Sequence, residues 1–216
     1  MQDLKIALIG ATGKAGTYIL KALLAQNYRV KALVRNPEKL QINHSALEIV
    51  TGDVNDAEAV HHFIKDCDIV VSALGMGQPA SEKTIFTQSA ANILTAMKAF
   101  GLKRYIVLTG INVDTPFDEK DAKTKFATQW MYENYPVSTA NRQKEYEMLS
   151  ESKLDWTLIR LPLIMQTDEQ TAIGTSLLNC DGDQINAANI AEFIIEELGE
   201  GKFVKQAPLI WNSMLK

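Results

Sequence analysis

Apolar positions along the chain alternate between two rhythms. Short runs such as "LKIALIG" (4–10), "YRVKALVR" (28–35), "ALEIVTGD" (46–53), "DIVVSALG" (68–75), "RYIVLTG" (104–110) and "DWTLIRLP" (155–162) are nearly unbroken, as strands covered on both faces are. Longer stretches between them carry helical spacing. In residues 14–26, Ile19, Leu20, Leu23 and Leu24 share one helical face. Further helices are predicted just after Pro37, at about 56–65, about 82–100, roughly 118–133 and 138–151, the last two broken at Pro136. Strands separated by crossover helices pair in parallel, so the pattern predicts an α/β fold built on a doubly wound parallel sheet. Past Pro162 the rhythm weakens. Residues 163–183 read as an irregular connection, 187–198 ("AANIAEFIIEEL") as an amphipathic helix, and "KFVKQAPLIW" (202–211) as a last edge strand with Pro208 marking the edge. With no repeat or linker visible, the expectation is one body over 1–216 with a small irregular C-terminal extension.

Composition narrows the function classes. At 216 residues, 46% hydrophobic and 22% charged, the chain is ordinary for a globular protein. A net charge of −4 argues against nucleic acid and anionic membranes as partners. No apolar run approaches the length of a membrane span and no signal-type segment opens the sequence, so a cytoplasmic location is expected. Cys67 and Cys180 stand alone and read as buried small hydrophobes. His61 and His62 are adjacent on a helical stretch and point about 100° apart, so they cannot clamp one metal, and His44 falls in a polar loop. No metal is expected.

The stretch "KIALIGATGKAG" (5–16) carries the first chemistry. Glycines 10, 13 and 16 follow a strand and open a helix, whose unpaired N–H groups suit a pyrophosphate. In such a unit Gly10 allows the tight turn, Gly13 lets phosphate approach the backbone, and Gly16 packs helix on sheet, with Thr12, Lys14 and Ala15 on the turn between them. The spacing is G-x-x-G-x-x-G, and there is no G-x-x-x-x-G-K-[ST] for ATP hydrolysis. An NAD site places a carboxylate at the end of the second strand. Here no acidic residue occurs from Thr17 through Pro37, whereas Arg35, Lys39 and Lys14 can meet a 2′-phosphate. NADP(H) is therefore preferred over NAD(H).

Taken in order, "GATGKAG", "LVRNPEKL", "TGDVND", "SALG" and "LDWTLIRLP" resemble the atypical short-chain dehydrogenase/reductases, in particular their NmrA-like and biliverdin-reductase/flavin-reductase-like branch, over about residues 4–200. The resemblance implies a Rossmann-like NAD(P)-binding fold. It places Asp53 and Val54 beside the adenine, Leu74 and Gly75 along the central ribose and pyrophosphate, Thr109 and Gly110 beside the nicotinamide, and Leu161 and Pro162 at its carboxamide end.

The larger family uses a Tyr-x-x-x-Lys pair, and none of the six tyrosines here has lysine four residues on. Aligning on "LDWTLIRLP" puts Ser138 and Arg142 at those places, and serine is a poor acid near neutral pH. Alcohol–ketone exchange is disfavoured. A conjugated acceptor such as a flavin, quinone or tetrapyrrole can instead take a hydride and then a proton from water. Members of this branch often carry serine after the strand-five threonine, where this chain has Gly110. The expectation is an NADPH-dependent reductase of a small conjugated acceptor with no evident catalytic acid, its acceptor site shaped by Gly75–Pro79, Thr109–Asn112 and Leu161–Met165. The substrate-side elements would be about 112–136, including the aromatic "FATQWMYENY", and about 163–186. The alternative is a non-catalytic NADP(H)-binding redox sensor of NmrA-like type. Monomer and homodimer are left equally open.

Overall fold

The computed structural model describes residues 4–77 and 80–213. Six strands fall where the apolar runs predict them: β1 (Lys5–Ile9), β2 (Arg29–Val34), β3 (Leu47–Thr51), β4 (Ile69–Ser72), β5 (Arg104–Gly110) and β6 (Asp155–Leu161). All six pair in parallel, in the spatial order β3-β2-β1-β4-β5-β6. Reversal of direction between β1 and β4 makes the sheet doubly wound, and the crevice at that point is where such folds bind ligands.

Helices α1 (Gly16–Ala25), α2 (Ala57–Ile64), α3 (Ile85–Phe100), α4 (Ala122–Asn134), α5 (Pro136–Ser150) and α6 (Ala187–Glu200) provide the covering layers. Ile19, Leu20 and Leu23 of α1 join Ile190 and Ile194 of α6 over Ile6 and Leu8 on one face. Phe63, Ile93, Met97 and Leu149, from α2, α3 and α5, cover Ala7, Ile9, Val70 and Val107 on the other. Pro136 does not leave a gap between two helices; it is the first residue of α5, where its missing N–H costs nothing. Thr84 makes no side-chain cap for α3. Asn141 of α5 supplies it instead, its Oδ1 accepting from the Phe86 and Thr87 amides at 3.0 and 3.1 Å.

The region past Pro162 is more regular than its sequence suggests. Strands β7 (Leu163–Met165) and β9 (Gln184–Asn186) form a small parallel pair, and β8 (Ile173–Ser176) runs antiparallel to β10 (Leu209–Asn212). β10 is not the edge: it lies between β6 and β8 in one eight-stranded sheet. Pro208 misleads because it sits one residue before the strand, where no ladder N–H is needed and its carbonyl still accepts from the Arg160 amide at 2.8 Å.

Arg160 is fully buried in the middle of β6. Its guanidinium meets both carboxylate oxygens of Asp118 at 2.7 Å and the carbonyls of Val113, Leu177 and Ala207. Lys120, also buried, bonds the Ile111 and Val113 carbonyls and Asp114. Arg160 ties the segment after β5 to the sheet, and Lys120 folds that segment on itself. Among the described residues, no helix is long and apolar enough to cross a membrane, and no cluster of three His, Cys, Asp or Glu could hold a metal.

Candidate functional site

A cleft of about 990 Å³ runs along the carboxyl ends of the parallel strands. Following the sheet order, its lining passes from Val54 beyond β3 and Arg35 beyond β2 to Gly10 beyond β1, then Leu74 beyond β4, Thr109 and Gly110 at the end of β5, and Leu161 and Pro162 at the end of β6. Sheet order alone thus brings together residues more than a hundred positions apart in sequence. The volume is at the upper end of small-molecule sites, which run from about 300 to 1,000 Å³.

The glycine turn forms one wall. Gly10 has φ +78°, and a Cβ there would lie 2.5 Å from the Ala73 carbonyl oxygen, so only glycine lets β1 turn this close to β4. The Gly13 amide donates to Gly10 O at 2.9 Å, which folds the turn over the start of α1. The first turn of α1 carries no acidic residue and no side-chain cap, so the positive end of the helix is not neutralised from within. Thr12, Gly13 and Lys14 are exposed along this wall.

Fourteen of the sixteen residues singled out from sequence line the cleft. Gly16 does not. It is buried with its Cα against the turn, and a Cβ there would stand 1.9 Å from Gly10 O, so its role is packing α1 on the sheet. Asp53 does not line it either; its carboxylate turns back to accept from the Asn55 amide at 2.9 Å, leaving Gly52 and Val54 on the cleft. Of the substrate-side segments, 163–186 contributes Ile164 and Gln166, whereas 112–136 contributes no lining residue. Of the rim read at 76–79, Met76 and Gly77 line the cleft, and Gln78 and Pro79 lie outside the described residues.

The electrostatics are one-sided. Lys14, Arg35, Lys39 and Arg142 line the cleft and no Asp or Glu does, in a chain of net charge −4. No Tyr, His or Cys lines it either. Tyr105 is buried in the core, where desolvation holds its phenol protonated well above the ordinary range. Burial likewise pushes the Cys67 thiol up to about 11. Thr109 offers the hydroxyl at the β5 end: its Oγ1 is buried and has no hydrogen-bond partner among the described residues. Beside it, a Cβ on Gly110 would meet Asn112 Oδ1 at 2.3 Å, so the Asn112 amide fills the space a residue-110 side chain would take.

Several lining residues are not singled out by the sequence reading, among them Asn36, Gly52, Ala73 and Ile85. Arg142 stands in the sequence where the larger family has its lysine. Its guanidinium bonds Glu145 at 2.7 Å and the Leu74 carbonyl, and lies over the Phe86 ring with Cζ 3.4 Å from the centroid. Glu145 is fully buried; desolvation pushes its carboxyl up, and Arg142 opposes that shift. Ser138, by contrast, bonds back to the Tyr135 carbonyl and is not on the cleft.

A doubly wound sheet, a glycine turn at a helix start and a cation-lined cleft at the strand ends define a dinucleotide-binding protein. The family model described as NAD(P)H-binding matches residues 10–200, and the chain belongs to that family. The likeness to atypical short-chain dehydrogenase/reductases read from the motifs accordingly holds. Phenylcoumaran benzylic ether reductase IRL1 of Ginkgo biloba is 34% identical over 134 residues, which are 57% of this chain and 41% of that protein, so the match spans less than half of the relative's length. A short-chain dehydrogenase/reductase from Veillonella parvula DSM 2008, solved in complex with NADP, has the same fold at a TM-score of 0.82, with 16% identity over 97% of this chain and 94% of that one. ChuY, an anaerobillin reductase from Escherichia coli O157:H7, superposes at 0.78 with 18% identity over 98% of each chain.

Proposed function

We propose that this protein is an NADPH-dependent reductase that delivers a hydride to a small conjugated acceptor, a flavin or quinone being the favoured class. The observation that carries the reading is the composition of the cleft beyond Thr109. It continues into an apolar rim of Met76, Ile85, Leu161, Pro162 and Ile164, with no Asp, Glu, His, Tyr or Cys among the lining residues. Such a rim suits a flat conjugated ring and offers nothing for a carbonyl substrate that needs a proton delivered. The reductase names of the Ginkgo biloba relative and of ChuY point the same way.

The cradle fits a nicotinamide dinucleotide. Without a Cβ at Gly10 and Gly13 the turn closes tightly against the Ala73 and Gly10 carbonyls, leaving its backbone bare along the cleft, and the basic lining matches the cofactor's phosphates. When bound, the cofactor supplies the hydride. The chain's own residues hold and orient: Gly10–Ala15 take the pyrophosphate, Val54 and Gly52 flank the adenine, and Lys14, Arg35 and Lys39 take the 2′-phosphate. Leu74 and Gly75 run along the ribose and pyrophosphate, and the Thr109 hydroxyl, with Gly110, Leu161 and Pro162, fixes the nicotinamide end. The apolar rim excludes water from the acceptor face, and the final proton comes from solvent.

Arg35→Asp should raise the Kd for NADPH by roughly 10- to 100-fold, the worth of one charge-assisted phosphate contact, while the Kd for NADH changes less than threefold. Equal losses by fluorescence titration would remove Arg35 from the 2′-phosphate site.

A redox sensor is the competing reading. It is favoured by the exposed aromatics Phe117, Phe126 and Trp130, which a partner protein could cover. NADPH oxidation followed at 340 nm against FMN, FAD, riboflavin, a naphthoquinone and biliverdin decides between them. Saturable turnover of one acceptor, faster with NADPH than NADH, supports the reductase. Tight NADPH binding with no rate above the protein-free control supports the sensor.

A further inference from the structure

We infer that Arg142 anchors an anionic group, a phosphate or carboxylate, carried by the acceptor. The inference rests on the reductase reading and names a feature of its substrate. Three of the four cleft cations belong to the glycine turn and the end of β2. Arg142 stands apart from them. It reaches the cleft from α5, beyond β4, next to Leu74 and the start of α3, where Met76 and Ile85 begin the apolar rim.

Its donors are not used up. A guanidinium presents five N–H groups. Two hydrogen bonds hold this one, Nη1 to Glu145 Oε2 and Nη2 to the Leu74 carbonyl, which leaves three N–H groups without an acceptor among the described residues. The side chain is only 12% exposed, so water reaches those donors poorly except through the cleft they line. No lining carboxylate competes for them.

The group is also fixed in advance. Glu145 holds it from behind, Phe86 stacks against its face, and α5 itself is pinned to α3 through Asn141. A planar fork held rigid loses little entropy when it binds a planar or tetrahedral oxyanion. Because Glu145 offsets the charge, the recognition works through oriented N–H bonds more than through net charge. An effect of about tenfold, near 1.4 kcal/mol, is the scale of one such contact. The acceptor therefore combines a flat conjugated core, seated on the rim, with an acidic arm that reaches Arg142.

Matched ligand pairs test this with the protein saturated in NADP⁺, so that binding is read without turnover. FMN against riboflavin differs by the phosphate alone, and biliverdin against its dimethyl ester by the carboxylates. Kd values are measured for the wild type, Arg142→Gln and Arg142→Lys, with circular dichroism melts to check folding. Expected is about tenfold tighter binding of the anionic member of one pair. That preference should fall to within twofold in Arg142→Gln and partly return in Arg142→Lys, with the Kd for NADPH unchanged within twofold. The pair that discriminates identifies the anion.

No preference in either wild-type pair overturns the inference, as does a preference that survives Arg142→Gln. A parallel loss of NADPH affinity also overturns it, since Arg142 would then serve the cofactor. Should Arg142→Gln unfold, Phe86→Leu removes the stacking platform and must shrink the same preference. A charge-dependent preference with no NADPH oxidation would sink the reductase reading while leaving the anchor standing.

Discussion

Gly16→Ala is expected to lower stability by about 3 kcal/mol, a drop of roughly 6–12 °C in Tm for a chain of this size, and to weaken NADPH binding at least tenfold. Two effects oppose each other. Alanine is the better helix former by about 1 kcal/mol, and Gly16 is the first residue of α1. Against this, the new Cβ would lie 1.9 Å from Gly10 O and 2.7 Å from its carbonyl carbon, both backbone atoms of the cofactor turn. No side chain can swing aside, so either α1 lifts from the sheet or the turn moves. The contact term therefore wins, and the cost falls on the fold and the cradle together. Gly199→Ala is the control: it lies in α6, is exposed, and a Cβ there meets nothing within 4 Å. It should raise stability by about 0.5–1 kcal/mol. If thermal melts move both variants in the same direction, the packing account of Gly16 fails.

Asp118→Ala should cost roughly 3–5 kcal/mol, because it strands the Arg160 guanidinium, fully buried, without a counter-charge. The carbonyls of Val113, Leu177 and Ala207 still accept from it but carry no full charge. Thr115 also loses both of its bonds to the Asp118 carboxylate, which adds to the loss. Removing both charges together is predicted to be milder. Asp118→Leu combined with Arg160→Met should recover more than half of the deficit in urea denaturation, since a buried ion pair can often be replaced by apolar residues of similar volume. A double variant as unstable as the single one would mean that the tethers, and not the stranded charge, carry the cost.

These two sites illustrate unequal legibility. The glycine turn was readable because its requirements are local: a strand, three glycines at fixed spacing and a helix follow one another without a break from Lys5 to Ala25. Five of the six parallel strands were readable because burial on both faces leaves a continuous apolar run; β3, at the edge and largely exposed, showed through its β-branched residues before the Gly52-Asp53 turn. Arg160 was not readable. In "DWTLIRLP" it looks like a polar interruption of a core strand, and what satisfies it comes from Asp118 and from carbonyls at 113, 177 and 207. Strands β7, β8 and β9 are three or four residues long and depend on partners that no local pattern names. Asp53 is singled out because "TGDVND" carries the family likeness; a short acidic side chain in a turn can also cap its own backbone, and here its carboxylate makes that local bond. Arg142 stands in sequence only where the family's lysine would fall, and its place on the cleft is set by Leu74, Phe86 and Glu145.

The interior place of β10 has a consequence for how the molecule is made. β10 fills the sheet between β6 and β8, yet in chain order it follows both, separated from β6 by β7, β8, β9 and α6. Through that stretch of synthesis the growing chain carries an unfinished border. The outer edge of β6 has its amides and carbonyls unclaimed, and Arg160 lacks its Ala207 partner. An open apolar edge is a template for pairing with another molecule. The sheet is sealed on this side only when β10 arrives, which makes the nascent chain most prone to self-association between the synthesis of β6 and that of β10.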